Sequence, residues 1–388
     1  MLIEKNFLHY GMHNISELKI QDIKKSLNNQ FITNDKFCKK LEKKISKLTT
    51  SKYAVVCNNG TSALMMTILA KNKDNLIAIV PNINFVAIAN IITLLKGKIV
   101  ICDINRNTGM IDADSFKETL SQCRKKDIKP NFFFPVHYAG DILQLKKFKK
   151  ICDKEKINII EDGCHSFGSF DDKGDMVGSC KYSLGTTFSF HPVKNITTIE
   201  GGAITTNNKK FYEKLKEIRS HSLRRTNIDD PYVLDAPSLN FRMGEINALI
   251  GLEQLKKLKY FKKKRLDIVK YYIKKFQKFE KHFQILNHNK KGIFWHLFVI
   301  LFNKKSKITK RNFMEFLKKN KIGSQVHYKP IFLHKAFKQS IILTNNKNSL
   351  HFYKSQLSLP LHVNVIKKDV DYIYNIFIKF FKNYNLTL

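Results

Sequence analysis

The stretch YAVVCNNGTSALMMTILA, Tyr53 to Ala70, joins a short β-branched run to a helix-length apolar segment through Asn58-Asn59-Gly60. A strand that turns directly into a helix is half of a strand–helix–strand crossover, and the pattern repeats as far as Thr206. Further β-rich runs stand at LIAIV (76–80), KIVICD (98–103), NFFFPV (131–136), INIIED (157–162), GTTFSF (185–190) and GGAITT (201–206). Between them lie segments of helical apolar spacing, after Gly60, after Asn84 and from Leu143 to Lys154. The sequence therefore predicts an α/β fold with a large, mainly parallel-sheet lobe. Two helices precede it. Ser16 reads as the N-cap of one, with Leu18, Ile23 and Leu27 inward; Phe37, Leu41, Ile45 and Leu48 recur at helical spacing in the next.

After Arg242 the pattern changes. Long Lys-rich helices are expected to run to about Phe283, followed by a strand-like FWHLFVILF (294–302), a helix from Thr309 to Lys319 and a last helix from about Lys368. This predicts a smaller C-terminal α/β lobe, with a large lobe over 1–250 and a small one over 251–388. No Gly/Ser or Pro linker separates them, so the boundary falls in or beside a helix.

The chain has 388 residues, 43% of them hydrophobic, enough for a large core. No apolar run is long enough to span a bilayer. The N-terminus carries an early acid and no apolar core of a secretory signal, so a cytoplasmic location is expected. Seven cysteines, odd in number and without a CxxC pair, suggest neither a disulfide framework nor a metal site. A formal charge of +37 raises nucleic-acid binding as a possibility. The lysines are nevertheless sprinkled over nearly every helix (KKLEKKISK, LKKFKKICDKEK, LKKLKYFKKKR) and do not gather in one stripe, which favours solvated faces, with neither a nucleic-acid nor a membrane partner.

Three places can carry chemistry. At Asn59-Gly60-Thr61-Ser62, backbone N–H groups and small hydroxyls open a helix and offer a seat for a phosphate; ordinary helix capping explains the same residues. At Ile159-Ile160-Glu161-Asp162, a strand ends in two acids. In an open parallel sheet ligands bind beyond the carboxyl ends of the strands, where a carboxylate beneath a pyridine nitrogen would keep it protonated. Either acid alone is also explained by a loop role. In Thr187-Phe188-Ser189-Phe190-His191-Pro192-Val193-Lys194, a strand delivers Ser189 to the sheet edge and a turn presents Lys194 among apolar and hydroxyl residues. Desolvation there favours the neutral amine that a Schiff base requires. With 69 Lys and Arg residues in the chain, a surface role is the default for any single lysine, and only its context sets Lys194 apart.

These blocks, together with Tyr138-Ala139-Gly140, SFHPVKNITT, Arg219-Ser220-His221, NFRMGEINALIGLEQLKKL and QVHYKPI (325–331), resemble the DegT/DnrJ/EryC1/StrS sugar aminotransferases over nearly the whole chain. Within that family the likeness is greatest to the aminotransferases of pseudaminic acid synthesis. The resemblance implies the type-I fold of pyridoxal 5'-phosphate (PLP) enzymes, and amination by L-glutamate of C4 of a UDP-linked 4-keto-6-deoxy-N-acetylhexosamine. It implies that Lys194 binds the cofactor covalently and moves the proton. Asp162 would pair with the pyridinium nitrogen and His165 would lie near the ring hydroxyl. Phe85 would stack on the ring, although a core phenylalanine is an equal alternative. Thr61, Ser62 and Ser189 would hold the phosphate, with Asn240 reaching over from a second subunit of a homodimer. Tyr10, His327 and Tyr328 would line the sugar-nucleotide side, with lobe packing as the alternative.

Four departures from the family pattern stand out: Asn34, Ile199 and Ser222 where glycine is usual, and Met12-His13 in place of Arg-Gln. Ile199 puts the local backbone in question, because a β-branched residue resists positive φ. Three rival functions are an aminotransferase acting on another nucleotide-linked keto-sugar (dTDP-linked, at C3 or C4), a PLP-dependent sugar dehydratase, whose relatives place histidine where Lys194 stands, and a non-catalytic basic protein that binds nucleic acid.

Overall fold

The computed structural model describes residues 7–15, 20–28, 31–71, 74–224, 232–234, 236–287, 289–303 and 309–384. Ser16 and Leu18, expected to cap and line the first helix, lie outside them. That helix, α1, spans Ile20–Leu27, and α2 spans Lys36–Thr49. Leu41 and Ile45 are buried as expected, but Leu27 and Leu48 are exposed at the ends of their helices, where the chain leaves the core.

The strands follow the β-branched runs: β1 Tyr53–Cys57, β2 Ile77–Pro81, β3 Lys98–Cys102, β4 Phe132–Phe133, β5 Asn158–Asp162, β6 Gly185–Ser189 and β7 Gly202–Thr206. Helices α3 Gly60–Lys71, α4 Ala87–Leu94, α5 Ala113–Lys125, α6 Lys146–Lys154 and α7 Lys209–Arg219 alternate with them. Covered on both faces, the strands are buried nearly throughout, which is why they read as unbroken apolar runs without alternation. β4 is shorter than NFFFPV suggests, because Pro135 has no N–H to give to a ladder.

A short hairpin, β8 Leu223–Arg224 with β9 Val233–Leu234, precedes helices α8 Glu245–Lys256 and α9 Leu258–Phe276. The Lys-rich helical pattern stops at Phe276 and does not reach Phe283, which instead enters β10 Phe283–Ile285 and pairs with Phe302 of β11 Phe298–Phe302. Helix α10 Lys310–Lys319, strand β12 Ile341–Ile342, helix α11 Lys347–Ser355, strand β13 Gln356–Leu359 and helix α12 Lys367–Asn383 complete the chain.

The large sheet has the order β1-β7-β6-β5-β4-β2-β3-β12. It is mixed: β6 through β12 run parallel, whereas β7 is antiparallel to both of its neighbours. The small sheet, β10-β11-β13, is antiparallel. It packs under α9, α10 and α12 in a phenylalanine-rich core that includes Phe276, Phe313 and Phe377. Two segments cross an expected division at residue 250. β12 joins the large sheet, and Leu8 is buried in the small-sheet core.

Candidate active site

Strand direction gathers the candidate residues at one edge of the large sheet. β2, β4, β5 and β6 are mutually parallel, and β1, reached through antiparallel β7, points the same way. The residues following their carboxyl ends therefore converge: Asn59-Gly60 after β1, Phe85 after β2, His137-Tyr138 after β4, Asp162 on β5 and Ser189 on β6. Register tightens the group, since Cys57 and Ser189 both pair with Gly202.

At the start of α3 the backbone comes within contact of β6. A Cβ added to Gly60 would stand 2.7 Å from Ser189 Cβ and 3.1 Å from its Oγ. Asn59 Oδ1 accepts the Ser62 N–H at 2.8 Å, as a cap does. Ser62 is buried and Thr61 exposed, so the helix start presents small hydroxyls and unused N–H groups beside Ser189.

The two acids of β5 separate because adjacent strand residues face opposite ways. Glu161 is committed to a buried network with Ser183, with Thr186 Oγ1 at 3.0 Å and with His137 Nε2 at 2.8 Å. Asp162, also buried, accepts the Cys164 N–H on Oδ1 at 3.0 Å. It lies within electrostatic reach of Lys194, a half-buried residue whose amine is buried and lowered from its usual pKa by desolvation, against the opposing charges of Cys164 and Asp162. The backbone N–H of Lys194 closes a turn onto the His191 carbonyl at 2.9 Å.

Around this pair stands a cluster of neutral histidines. His165 is buried and held well below its usual pKa by that burial, then by the charges of Lys194 and His327. Its Nε2 shares a 2.8 Å hydrogen bond with the Tyr328 hydroxyl, and its Nδ1 has no hydrogen-bond partner among the described residues. Burial, and then the Lys194 charge, bring His327 down to about 3, while its Nδ1 bonds Ser358 Oγ at 2.8 Å. Tyr10 leans on His327 with ring centroids 5.4 Å apart. Phe85 is 54% exposed, which excludes the core alternative, and its ring lies 5.7 Å from that of Tyr328. Asn240 is exposed, its Oδ1 accepting the Arg242 N–H at 3.1 Å, and its carbonyl accepts Asn58 Nδ2 at 3.5 Å, next to the start of α3.

Three members were not singled out from the sequence. His296 is buried with its ring 4.5 Å from that of His165, and is also held well below its usual pKa, by burial first. It sits in FWHLFVILF, where strand pattern hid it; residues 294–297 precede β11, and the His296 N–H turns to the Ala139 carbonyl. Tyr138 is fully buried and donates its hydroxyl to the His327 carbonyl at 2.5 Å. Cys164, between Asp162 and His165, could have been found from that spacing.

The arrangement suits a phosphorylated pyridine aldehyde. A helix start beside Ser189 can seat the phosphate, Lys194 offers an amine, Asp162 an acid, Phe85 an open ring face, and His165 Nδ1 a buried polar atom without a partner.

Comparison with known proteins agrees with this geometry. The model of the DegT/DnrJ/EryC1/StrS aminotransferase family matches residues 13–377. The chain is similar to the UDP-4-amino-4,6-dideoxy-N-acetyl-beta-L-altrosamine transaminase of Campylobacter jejuni, with 31% identity covering 94% of this chain and 95% of that protein. Among solved structures it resembles Helicobacter pylori PseC, an aminotransferase involved in the biosynthesis of pseudoaminic acid, with a TM-score of 0.87 and 30% identity over 98% of this chain and 100% of that one. It also resembles the putative sugar aminotransferase Spr1654 of Streptococcus pneumoniae in its PLP form, with a TM-score of 0.86 and 26% identity over 96% of this chain and 97% of the other. The chain belongs to the DegT/DnrJ/EryC1/StrS aminotransferase family and is a PLP-dependent sugar aminotransferase.

Proposed function

We propose that the protein transfers the amino group of L-glutamate to C4 of a UDP-linked 4-keto-6-deoxy-N-acetylhexosamine, with Lys194 as the catalytic residue. Bound PLP supplies an aldehyde for covalent capture of amines and a cationic ring that takes up an electron pair. The protein's part is to bind, orient and move a proton. Lys194 would hold the cofactor through its amine, and the same amine would serve as the base that carries a proton to or from the reacting carbon. Its lowered pKa serves that task by keeping part of the population neutral.

Asp162 holds the ring nitrogen in its cationic form. Thr61, Ser62 and Ser189 take the phosphate, and Phe85 stacks on the ring. His165, oriented by Tyr328, meets the ring hydroxyl. Tyr10, His327 and Tyr328 face the sugar. We further infer a homodimer in which Asn240 of one protomer reaches the partner's phosphate seat. The exposure of Asn240 and of the apolar neighbours Leu223, Leu234 and Leu239 supports this reading.

The observation that carries the assignment is the desolvated Lys194 amine within the field of Asp162 at the carboxyl edge of the sheet. The choice of sugar is supported by the similar transaminases from Campylobacter jejuni and Helicobacter pylori. The test is turnover of a panel of UDP- and dTDP-linked keto-sugars with glutamate by the wild type and by Lys194→Ala. Amination of the UDP-4-keto-6-deoxy-N-acetylhexosamine is expected in the wild type, with none above background in the variant. Activity surviving without the lysine would refute the assigned role.

A further inference from the structure

Strand β13 alternates polar and apolar residues although it is buried along its whole length. Leu357 and Leu359 face the phenylalanine-rich core of the small sheet. Gln356 and Ser358 face the other way, paired with Leu301 and Val299 of β11, which pack in an apolar cluster with Ile79 and Phe133 of the large sheet. Both polar residues are 0% exposed. A polar side chain taken that far out of water costs stability unless it is paired, so each needs a partner.

The partner of both is His327. Gln356 Oε1 accepts the His327 N–H at 3.1 Å, and Ser358 Oγ bonds the ring Nδ1 at 2.8 Å. The His327 carbonyl is taken by the Tyr138 hydroxyl, and Tyr10 leans on the ring. Ser358 Oγ has no other hydrogen-bond partner among the described residues. A hydroxyl that only accepted here would bury its own hydrogen unpaired, whereas donating to Nδ1 avoids that loss. The ring hydrogen of the neutral imidazole then sits on Nε2. That atom has no hydrogen-bond partner among the described residues and is not sealed off from open space. The ring also lies within electrostatic reach of Lys194.

We propose that Ser358 is a positioning residue of the reaction: its hydroxyl fixes the ring hydrogen of His327 on Nε2, so that the imidazole presents a neutral donor to the keto oxygen of the sugar. The inference rests on the keto-sugar reading of the site and adds how one of its contacts is oriented, and from which strand. The tautomer matters because a carbonyl oxygen can only accept, so the alternative form, with a bare Nε2, would oppose it. A donor without charge suits a neutral carbonyl, and its bond strengthens as negative charge builds on the oxygen during attack at the carbon. Gln356 holds the backbone of His327 while Ser358 holds the ring.

The test compares the PLP-loaded wild type with Ser358→Ala, which removes only Oγ. Long-range proton–nitrogen correlation spectra of protein carrying isotopically labelled histidine report the tautomer, with the His327 signals identified by their loss in His327→Gln. The wild type should carry the ring hydrogen on Nε2, and Ser358→Ala should move it to Nδ1 or let it exchange between the two nitrogens. With the keto-sugar nucleotide that the wild type aminates, kcat of Ser358→Ala should fall by at least about tenfold, while KM stays within about threefold.

The proposal is overturned by a wild-type His327 protonated on Nδ1, by a kcat of Ser358→Ala within about twofold of wild type, or by a loss of kcat with the tautomer unchanged. Failure of glutamate to change the absorbance of the wild-type holoenzyme would sink the aminotransferase reading instead. The spectra would still decide which nitrogen Ser358 leaves protonated.

Discussion

Among single residues, Ile199 is a β-branched side chain on left-handed backbone. Its φ is 70°, it is 48% exposed, and its N–H is held by Thr197 Oγ1 at 2.9 Å. The resemblance puts glycine at this position, at Asn34 and at Ser222, and all three residues occupy positive φ here. The backbone shape has been kept while the residue suited to it has changed. A β-branched side chain in this region costs about 1–2 kcal/mol. Ile199→Gly should therefore raise stability by roughly 1 kcal/mol net of the added unfolded-chain entropy, read as a higher urea midpoint; an unmoved midpoint would show the strain to be absent. Tyr328→Phe acts at the same scale. It strands the buried Nε2 of His165, a loss worth about 1–3 kcal/mol, so turnover should fall by roughly tenfold with the fold intact. An unchanged kcat would mean that the bond does not orient His165. Lys194 and the acid pair Glu161-Asp162 stood out as candidates because each sits in a local motif, a strand-turn or a strand end; the choice of Asp162 over Glu161 came from the resemblance. His296 was not, because nothing within a few residues of it differs from a buried strand.

At the level of elements, the decisive contact is the approach of the start of α3 to the end of β6. Gly60→Ala would push a methyl into Ser189, with no room for it at 2.7 Å, and must shift the helix start away from the strand. The proposed phosphate seat would open in consequence. PLP retention is expected to weaken by at least about tenfold, measured as cofactor lost on dialysis by absorbance; retention equal to wild type would mean that phosphate is held elsewhere. Most strands were readable because β-branched runs buried on both faces leave an unbroken apolar signature. Where the reading failed, a long-range partner decided. Phe279 and Phe283 continue the helical spacing of α9, yet Phe283 pairs with Phe302 and ends the helix pattern early. The antiparallel course of β7 was likewise invisible, since GGAITT reads the same in either direction of pairing.

Over the whole molecule, the buried histidines couple stability to pH. His327 and His362 are brought down to about 3 and about 4, mainly by burial, and His165 and His296 are also lowered. As pH falls below about 6.5 the unfolded chain takes up protons that the folded chain refuses, so their contribution is complete above that pH and is lost progressively toward pH 3 to 4. Each unit of depression corresponds to about 1.4 kcal/mol. Urea denaturation should show stability falling steeply between pH 6.5 and pH 4, and His362→Asn should flatten that slope; a flat wild-type profile would mean that the histidines are not buried in neutral form. The amino-acid order by itself determined the α/β alternation and marked Lys194, the acid pair Glu161-Asp162 and the small-residue helix start as candidates, because each depends on neighbours a few positions away. Tertiary structure alone decided that Glu161 serves a buried network while Asp162 lies within the field of Lys194, and that His296 joins His165. Those outcomes depend on strand direction and on packing between residues far apart in the chain, and no local pattern encodes them.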